Sequence, residues 1–270
     1  KRNGIYKGNT LFFLRQILSK VQSMRFVMGT IMVFSRFAFV SFSIAIMFHD
    51  YLGSQINEKL PFDTILYEAD TAADFEQEKQ LIQEQCQITA DYTYQIYQNG
   101  STMLRDYMAT HKKGSSEVQM TEGQADYFAF DTYMKLSDYN ALMRLLGHKE
   151  ISLSDQSCRI QTKQRFVAGL QELLESTPIV IDGVPLINSE FCVDGFALNG
   201  QNGADFVIVI PDEYVANMQP FYSLYAANLQ GELSEDSYNN LKDLVQKKNA
   251  LYDTIVWGRG TDDFVTVTDM

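Results

Sequence analysis

The longest apolar run in the chain is FVMGTIMVFSRFAFVSFSIAIMF, which covers residues 26–48 and contains one charged residue, Arg36. As an α-helix this run would be about 34 Å long, which matches the hydrocarbon thickness of a bilayer. A buried helix of a soluble protein normally keeps a polar face, and a signal peptide has a shorter apolar core and a shorter leader. Both stay open as alternatives, but the pattern favours a transmembrane helix.

A second helical pattern precedes this run, over residues 10–24. Its apolar positions include Leu11, Leu14, Leu18 and Val21, while basic and polar side chains occupy the other side. A basic amphipathic helix of this kind is typical of a segment that lies in the headgroup layer of a membrane. We therefore expect an interfacial helix over residues 1–25, and the alternative is a helix packed on another cytoplasmic element.

Beyond residue 50 the hydrophobic pattern switches between the period of strands and the period of helices. Residues 112–125 are polar and predict a surface loop, and DFVIVI, residues 205–210, is the most apolar strand and is expected near the centre of a sheet. We find no repeat of 20 to 50 residues. The irregular alternation predicts an α+β domain over residues 50–270, with room for two subdomains.

The expected elements of this domain follow from caps, turns and alternation. The first expected elements are a strand at 64–68, a helix from a Thr71/Asp74 capping box to about Gln87, a strand through Tyr92, Tyr94 and Ile96 to Asn99-Gly100, and a strand at 127–134. They are followed by a helix from Ser137 to Gly147, an extended segment at 151–162, a helix from Phe166 to before Pro178, and a strand–turn–strand pattern at 179–210. The last are a short helix after Pro211, a strand at 221–229, a helix capped by Ser234, and one or two strands at 254–268.

Charge differs sharply on the two sides of the apolar run. Residues 1–25 carry a formal charge of +6 and residues 26–270 carry −18, and the first carboxylate of the chain is Asp50. Basic residues next to a span stay in the cytoplasm, so we expect a cytoplasmic N-terminus and residues 50–270 outside the cell membrane. The acidity of the outer part argues against nucleic acid as a partner.

Residue types that carry chemistry are few and scattered. Cys86, Cys158 and Cys192 are expected to be free buried thiols, with Cys86 packing on its helix, although a bridge between Cys158 and Cys192 is conceivable. His49, His111 and His148 lack the spacing of metal ligands, and no P-loop, H-E-x-x-H or C-x-x-C motif occurs. We therefore predict no catalytic residue, no metal and no cofactor.

Two weaker enzymatic hypotheses remain. A thiol enzyme would use Cys158 or Cys192 as the nucleophile and His111 or His148 as the base, but nothing local brings these residues together. Carboxylate clusters could instead bind a cation or form an acid/base pair, and each is more simply a solvated edge or a helix cap. These clusters are Glu68/Asp70/Asp74 and Asp262/Asp263.

The span itself carries a candidate helix-packing face. Gly29, Arg36 and Ser43 recur every seven residues and should lie on nearly one face, with Ser41 and Ala45 as a pair of small residues nearby. An arginine at mid-membrane is costly unless it faces a partner or water, and small residues allow helices to approach closely. We therefore expect this face to contact other transmembrane helices. Snorkelling of Arg36 in a single anchor is the alternative.

Several stretches resemble a known family. NGIYKGNTLFFLRQILSKVQSMRFVMGTIMVFSRFAFV followed by LPFDTILYEAD is similar to the start of the second membrane half of FtsX-like ABC transporter permeases, of the BceB type and near the MacB-like permeases. SDYNALMRLLGHKEISL and DFVIVIPDEY resemble parts of their extracellular domain. The resemblance implies a non-catalytic permease subunit, with ATP hydrolysis by a separate cytoplasmic ABC ATPase as partner.

The same resemblance implies further partners and a role. The permease would couple the ATPase to its extracellular domain for antimicrobial peptide sensing and resistance, or for export of peptides or lipids, with other permease helices, a cationic peptide and a sensor kinase as partners. One span is present where this half should have four, and Arg36 is unusual in a span. We therefore expect the chain to be a fragment.

A single-pass receptor is the competing hypothesis. The outer domain of a histidine kinase or a chemoreceptor would also be α+β and would follow a span. Such a receptor normally continues through a second span into a signalling module, whereas here a basic amphipathic helix precedes the first span. The segments beyond residue 270 would distinguish the two, because three closely spaced spans fit a permease and a kinase module fits a receptor.

Overall fold

A computed structural model describes residues 10–59, 61–111, 128–198, 200–231, 233–248 and 257–258. The chain divides into two compact units, with the boundary between Gln55 and Ile56. The first unit consists of a helix, and the second, which we call the body, is a mixed α/β domain.

Helix α1 runs without interruption over Thr10–Lys59, and its residues up to Gln55 form the described part of the first unit. Residues 10–25 of the predicted interfacial segment and the predicted span are therefore parts of one helix, which continues eleven residues past Phe48, whereas residues 1–9 lie outside the described residues. The helix contains no proline, and it ends before Pro61, because a proline disfavours helical backbone at the residue that precedes it. Among the described residues, α1 is the one helix long and apolar enough to cross a bilayer, and no part of its most apolar window is buried.

The body is built from strands and helices that alternate irregularly. Its elements are β1 (Thr64–Glu68), α2 (Glu76–Gln83), β2 (Gln87–Gln98), α3 (Met103–His111), β3 (Tyr133–Lys135), α4 (Leu136–Leu145), β4 (Ser157–Thr162), α5 (Gln164–Ser176), β5 (Ile179–Ile181), β6 (Val184–Cys192), β7 (Phe206–Ile210), a 3-10 helix (Asp212–Asn217), β8 (Gln219–Gln230), α6 (Glu235–Lys248) and β9 (Trp257–Gly258).

The described strands form one mixed sheet in the order β5-β6-β4-β7-β3-β2-β8-β1-β9. β8 is antiparallel to both β2 and β1, and its pairing with β2 runs from Gln87 opposite Gln230 to Gln98 opposite Gln219. In the other half, β7 is parallel to β3 and antiparallel to β4, and β4 is parallel to β6. β1 and β2 thus run in the same direction with β8 between them.

Both faces of the sheet are covered by other elements. On one face, α4 and the segment after β6 pack on alternate residues of β2, β7 and β8, for example Tyr94, Val207 and Leu224. On the other face, α3 and α5 cover the β4–β7–β3 half, and α2 and α6 cover β1 and β8. Every residue of β7 is buried because side chains that point either way meet a covering layer.

Most predicted elements are confirmed. The strand at 64–68, the strand that ends at Gln98, the helix that ends before Pro178 and the helix capped by Ser234 are all present, and the DFVIVI strand is internal. Helix α4 ends in hydrogen bonds from Gly147 N–H to Arg144 and from His148 N–H to Met143, as the glycine stop predicts. Asp182 and Gly183 both have positive φ in the tight turn between β5 and β6.

Other predictions were wrong in detail. The Thr71/Asp74 capping box does not form, because Phe75 takes a left-handed conformation and α2 starts only at Glu76, whose N–H donates to the Asp74 carboxylate. α2 ends at Gln83 rather than near Gln87, the expected strand at 127–134 shrinks to β3, and only residues 157–162 of the expected extended segment form a strand. Residues 190–192, which were expected in the turn before the DFVIVI strand, belong to β6. The predicted loop at 112–125 lies outside the described residues.

The segment between β6 and β7 has a polar sequence, yet residues 196–198, residues 201–203 and Asp205 are buried. Ala197, Gly200, Gly203 and Asp205 all have positive φ there. The Tyr94 hydroxyl donates to Asn202 Oδ1 at 2.7 Å, and the Asn202 amide donates to the Phe196 carbonyl at 2.8 Å. These bonds satisfy polar groups that would otherwise be costly to bury, and they fix the segment on the sheet.

We predict that Gly203→Ala destabilises the body far more than Gly200→Ala. Both glycines have positive φ, but a Cβ at Gly203 would overlap the Phe206 carbonyl, whereas at Gly200 its nearest neighbour is a Phe128 ring atom at 4.0 Å. Urea unfolding followed by circular dichroism should show a loss of about 3 kcal/mol or more for the first variant and about 1 kcal/mol for the second. Equal losses would contradict the close approach at Gly203.

Candidate functional site

The five residues predicted as a helix-packing face lie on two different faces of α1. A regular helix turns about 100° per residue, so Gly29 and Ser43 lie within about 20° of Arg36. By the same geometry Ser41 and Ala45 lie about 140° and about 180° from Arg36. Ser41 and Ala45 should therefore not have been grouped with Gly29, Arg36 and Ser43, because residues five or nine positions from Arg36 do not lie on its side of a helix.

Polar side chains on α1 differ in how their hydrogen-bonding groups are satisfied. The Thr30 hydroxyl donates to the Phe26 carbonyl and the Ser43 hydroxyl donates to the Phe39 carbonyl, both at 2.9 Å. Such bonds to the residue one turn earlier allow a hydroxyl to sit in lipid without a partner. Arg36 is exposed, and Gly29 has nothing within 4 Å of an added Cβ.

In the body, a titratable cluster lies at the N-terminus of α4. The Tyr92 hydroxyl on β2 donates to Asp138 Oδ1 at 2.9 Å, although Asp138 is only 7% exposed. Asp212, which begins the 3-10 helix, accepts the Ser137 N–H at 3.0 Å. Two carboxylates therefore meet the positive end of α4, with Lys135 at the end of the neighbouring strand β3.

Burial dominates the electrostatics of this cluster. It raises the pKa of Asp138 to about 6, against the opposing effects of the Tyr92 hydrogen bond and the Lys135 charge. Burial, followed by the Asp138 charge, raises the pKa of Tyr92 to about 12. Asp138 can therefore gain or lose a proton near neutral pH while Tyr92 remains a hydrogen-bond donor. Sequence reasoning missed this pair, because 46 positions separate the two residues and the only signal was an aspartate in a first helical turn.

A second polar group joins α4 to the middle of the sheet. The Tyr139 hydroxyl bonds Gln161 at 3.1 Å, and the Gln161 amide donates to the Asp194 carbonyl at 2.7 Å. The Arg159 guanidinium lies 5.7 Å from the Tyr139 ring centre and 3.3 Å from Glu190. The Cys192 thiol lies 3.7 Å from the Asp194 carboxylate. These contacts fix α4 and the segment after β6 on the sheet.

All three cysteines are free and buried, as predicted. Cys158 is opposite Asn188 in the β4–β6 pair, and Cys192 is opposite Gln161, three residues further along. Since side chains alternate along a strand, the two thiols lie on opposite faces of the sheet and do not form the conceivable bridge. Burial raises the pKa of Cys158 to about 12, which does not suit a thiolate nucleophile.

The histidines and the acidic clusters are spread through the fold. His49 is exposed on α1, His148 is exposed after α4, and His111 is the last residue of α3. Asp70 accepts the Ala72 N–H at 2.9 Å in the turn before α2, and Asp74 accepts the Glu76 N–H at the start of α2. Glu68 is buried in β1, and Asp262 and Asp263 lie outside the described residues. Within the part of the chain that the structure describes, no group of three or more His, Cys, Asp or Glu could hold a metal ion.

The body presents an acidic surface. Among its described residues, seventeen carboxylate side chains are exposed, against three exposed basic ones, Arg144, Lys149 and Arg165. The basic side chains that are partly covered include Lys79, which lies 3.6 Å from both Glu76 and Asp91. A surface of this sign attracts cations and cationic peptides at low ionic strength.

We predict that Asp138 makes the body less stable as the pH rises. Because the pKa of Asp138 is raised to about 6 in the folded state, that state holds more protons than the unfolded chain between about pH 4 and pH 6. The free energy of unfolding should therefore fall by up to about 3 kcal/mol across this window. Asp138→Asn keeps an acceptor for Tyr92 and should remove this fall.

The measurement is urea unfolding of the full chain in detergent at a series of pH values. Glu172→Gln, which neutralises an exposed carboxylate on α5, is the matched control and should keep the wild-type profile. An Asp138→Asn profile that still falls between pH 4 and pH 6 would assign the effect to another group.

Comparisons with known proteins assign no family. No family model matches the chain, and no curated protein matches it. A crystal structure of a Bacillus anthracis protein provisionally classed as a lipoprotein aligns with 67% of this chain and 90% of its own, at 13% identity and a TM-score of 0.39. A TM-score of this size does not establish a common fold, so the function has to be argued from the residues of this chain.

Proposed function

We propose that the chain is part of the permease subunit of an FtsX-like ABC transporter, in which α1 crosses the cell membrane and the body lies outside. The observation that carries this proposal is α1, a continuous helix with an apolar window of which no part is buried, between a basic segment and an acidic body. Exposed apolar surface of this extent is stable in lipid and not in water. The distribution of charge gives the direction of insertion.

The connectivity of the body supports an insertion between membrane segments. The chain joins the sheet at β1, and β9, the last described strand, pairs with β1 so that Thr64 is opposite Gly258. The first residue of β1 and the last residue of β9 are therefore opposite each other at one end of one strand pair. This arrangement is usual for a domain inserted into another structure.

The proposed role is mechanical and electrostatic. A separate cytoplasmic ATPase would move the membrane helices, and α1 would pass this motion to the body through the four residues between Lys59 and Thr64. The acidic surface of the body suits cationic antimicrobial peptides, with peptide or lipid export as the wider activity class and a sensor kinase as a further partner. The remaining permease helices would complete the membrane part.

The first prediction from this proposal concerns topology. In intact cells, a membrane-impermeant maleimide should label Glu172→Cys in the body and should leave Ser19→Cys on α1 unlabelled until the cells are opened. Both positions are exposed, and the native thiols are buried, so labelling reports the side of the membrane. Release of the chain from membranes by carbonate, or the reverse labelling pattern, would contradict the proposal.

The second prediction concerns the acidic surface. The full chain in detergent should bind a lysine-rich peptide, and raising the salt from about 20 mM to about 300 mM should weaken this binding at least about fivefold, because added ions screen exposed charges. Fluorescence anisotropy measures the affinity, and the same peptide with its lysines replaced by glutamine is the matched control. Binding that is independent of salt, or equal for both peptides, rules out electrostatic capture.

A further inference from the structure

Arg36 lies near the middle of the apolar part of α1. It is about 15 Å along the helix from Phe26 and about 18 Å from Phe48, and each of these distances exceeds the reach of an arginine side chain. A guanidinium is always charged and carries five N–H donors, so it needs acceptors wherever it is placed. Snorkelling to either headgroup layer is therefore incomplete, and a partner at mid-membrane depth would lower the cost of the charge.

α1 cannot supply that partner. The first carboxylate of the chain is Asp50, fourteen residues and about 21 Å further along the helix. The neighbouring hydroxyls of Thr30 and Ser43, which donate to carbonyls of their own helix, are uncharged and cannot neutralise a guanidinium. A negatively charged acceptor for Arg36 at this depth would therefore come from a different segment.

The face around Arg36 has room for such a segment. Gly29 and Ser43 lie two turns before and two turns after Arg36 on nearly the same side of the helix, and Gly29 has open space where a Cβ would be. Small residues at these positions let a neighbouring backbone approach, which shortens the distance that the guanidinium must span. The charge identifies the chemistry of the partner, and the small residues permit contact.

A second copy of α1 does not fit this face. Self-association here would bring two Arg36 side chains together, and like charges repel strongly where the dielectric constant is low. A carboxylate has the opposite charge, and it matches the planar donor fork of arginine with two parallel hydrogen bonds.

We propose that Arg36 forms an ion pair with an aspartate or glutamate on another membrane-spanning helix, one that is not a second copy of α1. The inference rests on the proposed membrane span and adds the identity of the group that the span binds. The pair offsets the cost of the buried charge and fixes the rotation of α1 about its axis relative to its neighbour.

Defined peptides test this chemistry. The full chain, labelled with a donor, is incorporated into phosphatidylcholine vesicles with acceptor-labelled spanning peptides of leucine and alanine, about 23 residues long, that carry a central Glu or Gln. Energy transfer should show the Glu peptide associating at least about tenfold more strongly than the Gln peptide. Arg36→Leu should abolish this preference, and Arg36→Lys should retain part of it.

The outcomes of this experiment separate the two proposals. Vesicle flotation shows whether the chain has inserted, and failure to insert overturns both the span and the ion pair. Insertion with equal association of the Glu and Gln peptides, or with a preference that persists in Arg36→Leu, overturns the ion pair alone.

Photo-crosslinking in native membranes identifies the segment that contacts the Arg36 side of α1. A photo-crosslinker on Val40→Cys points about 40° from Arg36, whereas the matched control Ala45→Cys points about 180° away. The expected product at position 40 joins the chain to a different spanning segment that contains Asp or Glu, and Arg36→Leu should remove it. A product with a second copy, a product with lipid alone, or equal products at positions 40 and 45 overturn the inference.

Discussion

The body depends on β8, the strand that pairs along its length with β2 and also with β1. Alternate residues of β8 enter different hydrophobic clusters, with Tyr222 and Leu224 on one side of the sheet and Tyr225 on the other. A single strand therefore aligns both covering layers. A shift of its register by one residue would exchange the two faces and would place each side chain against the wrong layer.

Local sequence signals predicted where helices and strands begin and end better than they predicted which strands pair. The Gly147 stop and the Ser234 cap each depend on neighbouring residues, and each was readable in the sequence. The pairing of β2 with β8 joins residues more than a hundred positions apart, and no local pattern encodes it. The failed Thr71/Asp74 cap shows the same limit, because burial of Phe75 delays the start of α2.

The two candidate sites also differ in how far the sequence alone reveals them. The sequence showed Arg36 directly, because one charge in a long apolar run is visible without a fold. It could not show Asp138, whose pKa is raised by burial and whose hydrogen-bond partner is a tyrosine on a distant strand. Helical periodicity correctly related Gly29 and Ser43 to Arg36, and it failed for Ser41 and Ala45 only because proximity in sequence was taken for proximity on a face.

The antiparallel pairing of β1 with β9 has a mechanical consequence. Thr64 is the first residue of β1 and is paired with Gly258 at the end of β9, so opposing forces applied at these two residues would load the pair at one end. When a force separates two strands at one end, their hydrogen bonds break one after another. When a force acts along the strands, the hydrogen bonds break together. The described part of this pair spans two residues on each strand, so tension could detach β9 while the pairing of β1 with β8 and the cores behind it stay intact.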